Sequence, residues 1–89
     1  MMEEQIPEPS FTALLMMLAG SAVINLGETP NPSTNKVEKN LALAQHTIDI
    51  LAMLKEKTKG NLTTEESGLL DEILYNLRMR YVEAKKKEG

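Results

Sequence analysis

From Phe11 to Gly27 the chain carries no charged side chain, and its only polar ones, Thr12, Ser21 and Asn25, do not share a helical face. A helix made from this stretch has no polar side to turn toward water, unlike the amphipathic helices on ordinary domain surfaces. Something must cover it: lipid, the rest of the chain, or another molecule. Lipid fits poorly. Seventeen uncharged residues lie at the short edge of the spanning range, which runs from about 17 to 25. Gly20, Ser21, Asn25 and Gly27 shorten the apolar part further, and no basic residue anchors its start. A secretory signal would need a basic leader, whereas Glu3, Glu4 and Glu8 make this one acidic. Burial in protein is therefore the expectation.

The rest of the chain divides at its Pro and Gly residues. Residues 1–9, with Pro7 and Pro9, predict a loose N-terminal arm. Ser10 is placed to cap helix 1, about 11–26, and Gly27 sits where a left-handed C-terminal cap belongs. Residues 28–35 hold Pro30, Pro32 and several Asn, Ser and Thr, which predicts a chain reversal and an antiparallel helix pair. Helix 2, about 36–58, is expected to bury Val37, Leu41, Ala44, Ile48 and Leu51, with Leu43, Ile50 and Leu54 as a second apolar stripe. Lys59 and Gly60 end it.

Helix 3, about 64–84, opens on a capping box, Thr63 with Glu66, and turns Leu70, Ile73, Leu74, Leu77 and Tyr81 inward. Tyr75, Met79 and Val82 recur on its far side. The expected fold is thus all-α: one helical domain, 10–84, followed by a charged tail, 85–89.

At 89 residues a three-helix core is small, and two helices cover only about half of helix 1. A second copy is the simplest cover for the remainder, with helix 1 meeting its symmetry mate in a dimer. The residues expected at such an oligomer interface are Phe11, Leu14, Leu15, Leu18, Ala22, Tyr75, Met79 and Val82.

No grouping of residues points to catalysis. The chain has no cysteine, which excludes disulfides and thiolate chemistry and suits a cytoplasmic protein. His46 is the lone histidine; with Asp49 it makes an i, i+3 pair, too few ligands for a metal site. Glu65, Glu66, Asp71 and Glu72 suit the positive end of helix 3. Asp49, Arg78 and Arg80 are expected to form ion pairs between helices. Net charge is −3, and acids interrupt the basic residues throughout, which argues against a nucleic-acid partner. No cofactor is expected.

A resemblance adds to this reading. It rests on Phe11 with the run Leu14-Leu15-Met16-Met17-Leu18-Ala19, then Leu26-Gly27 with Pro30, Asn40-Leu41, Thr47-Ile48-Asp49 and Met53-Leu54. It continues through residues 57–63, Lys-Thr-Lys-Gly-Asn-Leu-Thr, to Leu77-Arg78 and Tyr81. In these the chain resembles a small bacterial family known as domain of unknown function 1844. The resemblance implies a free-standing bacterial protein and supplies no catalytic or binding residue.

The function expected is a non-enzymatic homo-oligomeric interaction module, open to a further protein partner. The alternatives are membrane association through helix 1, and an enzyme or ligand binder with a site between subunits drawn from Asp49, Lys57, Arg78 and Tyr81.

Overall fold

A computed structural model describes residues 8–88. Three α-helices follow one another: α1 Phe11–Asn25, α2 Leu41–Lys57 and α3 Thr64–Glu88. They run up, down and up, and each touches both others. Most of the expected arm, residues 1–7, lies outside the described residues.

The helix ends follow the sequence signals closely. The Ser10 hydroxyl accepts from the Ala13 N–H at 3.0 Å. At the other end of α1, the Gly27 N–H donates to the Ile24 carbonyl and the Glu28 N–H to the Val23 carbonyl. This paired pattern satisfies two carbonyls that the helix leaves free, and it needs a left-handed residue between them. Gly27 supplies it, with φ at +82°. The capping box at α3 closes in both directions: the Glu66 N–H donates to the Thr63 hydroxyl at 3.1 Å, and the Thr63 N–H to the Glu66 carboxylate at 2.9 Å.

Two boundaries differ from expectation. Helix 2 starts at Leu41, not near Lys36. The Lys36 carbonyl accepts from the Asn31 N–H at 2.8 Å, and the Asn40 N–H donates to the Asn25 carbonyl at 2.7 Å. These groups hold the connecting loop, so residues 36–40 are not helical, and Asn40 becomes the cap, accepting from the Leu43 N–H at 3.1 Å. Val37 accordingly lies outside the helix and is exposed rather than buried. The second difference is that α3 continues to Glu88, so residues 85–88 are helix and not tail. Their three lysines complement the negative end of the helix. Lys39 also approaches Glu88 at 3.9 Å.

The core is one aliphatic cluster. Leu15, Ala22 and Leu26 meet Ala44, Ile48 and Leu51 of α2 and Leu70, Leu74, Leu77 and Ala84 of α3. Thr47 is buried too, with its hydroxyl donating to the Leu43 carbonyl at 3.1 Å, so no bond is lost.

Leu51→Ala removes a fully buried side chain from the middle of this cluster. It should cost about 2–5 kcal/mol, read from urea unfolding followed by circular dichroism. Asn40→Ala should cost about 1 kcal/mol in the same assay, whereas Lys36→Ala should stay within about 0.5 kcal/mol of wild type. Equal effects at the two positions would contradict the start of α2 at Leu41.

Candidate interaction surface

Folding covers α1 on one side only. Leu15 and Ala22 are fully buried, and Phe11, Leu18, Ala19 and Val23 pack part-buried against the core. Leu14, Met16 and Met17 remain in solvent, at 38%, 57% and 72% exposure. Two residues expected at the oligomer interface, Leu15 and Ala22, are thus already committed to the core of the single chain. A helix with no polar side offers no signal for which of its faces turns inward.

The other expected interface residues fare differently. Phe11 and Leu18 are half-buried, while Tyr75, Met79 and Val82 are all at least half exposed on the outer face of α3. Beside them runs an open groove of about 430 Å³. Leu74, Tyr75, Met79 and Val82 give it an apolar floor, and Lys55, Asp71, Arg78 and Glu83 stand around it. On α2, Leu43 and Met53 are also about half exposed. Each helix therefore keeps an apolar outer surface. Methionine recurs on it: Met16, Met17, Met53 and Met79, every methionine among the described residues, are half or more exposed.

Several polar side chains bridge elements of the fold. Lys55 pairs with Asp71 at 2.7 Å across α2 and α3, and Arg80 pairs with Glu28 in the loop after α1. Asp49, expected to reach an arginine, instead accepts from Gln45 at 2.8 Å one turn earlier on its own helix. Arg78 lines the groove, but Asp49, Lys57 and Tyr81 do not. Tyr81 packs against the core instead. His46 is exposed on α2. Among the described residues no three His, Cys, Asp or Glu side chains gather as a metal site would require. No described helix is long and apolar enough to cross a membrane.

Comparison with known proteins places this geometry in a family. The model for "Domain of unknown function (DUF1844)" matches residues 8–83, from the arm before α1 almost to the end of α3. The chain belongs to that family. No curated protein and no solved structure matches it. The family match covers all the core residues up to Leu77, and with them the exposed stripe of Tyr75, Met79 and Val82.

The Lys55–Asp71 pair is about half exposed on both sides. Asp71→Ala should therefore shift stability by no more than about 1 kcal/mol in thermal or urea unfolding. A larger loss would mean that the pair holds the α2–α3 hairpin rather than decorating it.

Proposed function

We propose that the chain is a non-enzymatic, homo-oligomeric interaction module of the bacterial cytoplasm. The observation that carries this reading is the amount of apolar side chain left in solvent after the core has formed: Met16 and Met17 on α1, Leu43 and Met53 on α2, and Tyr75, Met79 and Val82 on α3. Scattered single residues of this kind are ordinary, but adjacent ones on a small domain mark contact surfaces. The exposure of methionine on all three helices supports the same reading. An unbranched, polarisable side chain adapts to a partner's shape without a preformed pocket.

The polar residues agree with a binding role. Ser10, Asn40, Thr63 and Glu66 serve as helix caps. Lys55, Asp71, Glu28 and Arg80 tie elements together. A further protein partner fits the α1 surface, where Met16, Met17 and Gly20 border Asn31 and Pro32 of the loop.

Sedimentation velocity of the purified protein at micromolar concentration tests the reading. A dimer or larger species is expected, dissociating on dilution. A monomer across the whole range would overturn it.

A further inference from the structure

We infer that two copies pair through the outer stripe of α3, antiparallel about a two-fold axis; this rests on the self-association reading above and says which face carries it. The stripe is longer than its three apolar residues. Gly68, Glu72, Tyr75, Met79, Val82 and Lys86 follow one another at spacings of 4, 3, 4, 3 and 4. That alternation is the seam of a two-helix coil, in which residues every 3.5 positions stay against the neighbour. All six are exposed, so none of the seam is used by the chain's own core. It is a second seam, on the far side of α3 from buried Leu70, Leu74 and Leu77.

Charge chooses the direction. The first half of the seam is acidic, through Glu65 and Glu72 with Asp71 at its edge, and its end is basic, through Lys86 flanked by Lys85 and Lys87, with Glu83 as an acid at its edge. A parallel pair sets acid against acid and lysine against lysine. An antiparallel pair sets each acidic start against the other copy's basic end. In a two-fold arrangement centred near residue 77, the stripe maps onto itself. Tyr75 then faces the partner's Met79, Glu72 faces the partner's Val82, and Gly68 faces the partner's Lys86. The last of these brings a long side chain onto a residue with open space above it, since a β-carbon built on Gly68 meets nothing within 4 Å. The partner's Lys86 then lies one turn from Glu65 and one turn from Glu72. The groove beside Tyr75, Met79 and Val82 gives these side chains a recess to enter from the opposing helix. The α1 surface has no comparable direction or register, because that helix carries no charge.

Cysteine cross-linking tests the pairing directly, since the chain has no cysteine of its own. The double variant Tyr75→Cys with Met79→Cys should form a covalent dimer on mild oxidation, while Met17→Cys should not. Glu72→Lys should raise the dimer dissociation constant about tenfold, and adding Lys86→Glu should bring it back toward wild type. Met79→Glu, which places two carboxylates near the axis, should raise it about 100-fold or more. All of these positions are exposed, and unchanged helical circular dichroism will show that each variant still folds. A dimer that ignores the charge changes and cross-links through Met17→Cys would overturn the α3 pairing while leaving self-association standing. A wild-type monomer would overturn both.

Discussion

The hydrogen bond from the Asn40 N–H to the Asn25 carbonyl, 2.7 Å long, joins the last residue of α1 to the cap of α2. The arrangement of the bundle follows from it. It fixes how far the chain has travelled before α2 turns back, and hence which residues of α1 and α2 meet. The loop between is built to deliver that bond. Asn31 accepts from the Ser33 N–H through its side chain, and Asn35 takes the left-handed conformation that asparagine tolerates better than most residues. Gly27 starts the loop, close enough to Lys39 that an added β-carbon would sit 3.3 Å from the lysine Cβ. With α1 and α2 set, α3 packs against both through Leu70, Leu74 and Leu77, and the exposed pairs Lys55–Asp71 and Arg80–Glu28 lie along its edges.

Much of this is legible in the residues. Ser10, Gly27, Gly60, Thr63 and Glu66 mark helix ends by local chemistry that tertiary context does not override. The buried face of α3 follows from its periodicity. The start of α2 does not, because Val37 continues the apolar spacing of Leu41, Ala44 and Ile48 back into the loop, and that spacing outweighs the cap at Asn40. The end of α3 escapes for a different reason. Three consecutive lysines have the composition of a solvated tail, yet they are favourable at the negative end of a helix whose last buried residue, Ala84, is one turn away.

The candidate surface divides in the same way. Tyr75, Met79 and Val82 stand out because the other exposed side chains around them on α3, Glu72, Asn76, Arg78 and Glu83, are polar. Leu15 and Ala22 do not, because α1 is apolar all round, and periodicity carries information only where two kinds of residue alternate. The phase of α1 is decided by its neighbours: Leu15 is fully buried in the cluster it shares with Leu51 and Leu70, and the side bearing Met17 is simply the one left over.

The placement of methionine has a chemical consequence. The aliphatic cluster contains Leu, Ile and Ala but no thioether, whereas Met16, Met17, Met53 and Met79 all present theirs to solvent. An oxidant can therefore reach these four sulfurs without the bundle opening, and conversion to the polar sulfoxide changes the outer faces of all three helices while leaving the interior untouched. Folding and surface chemistry are separated in this chain: the atoms that set its stability are inert to such damage, and the atoms that offer contact are the reactive ones.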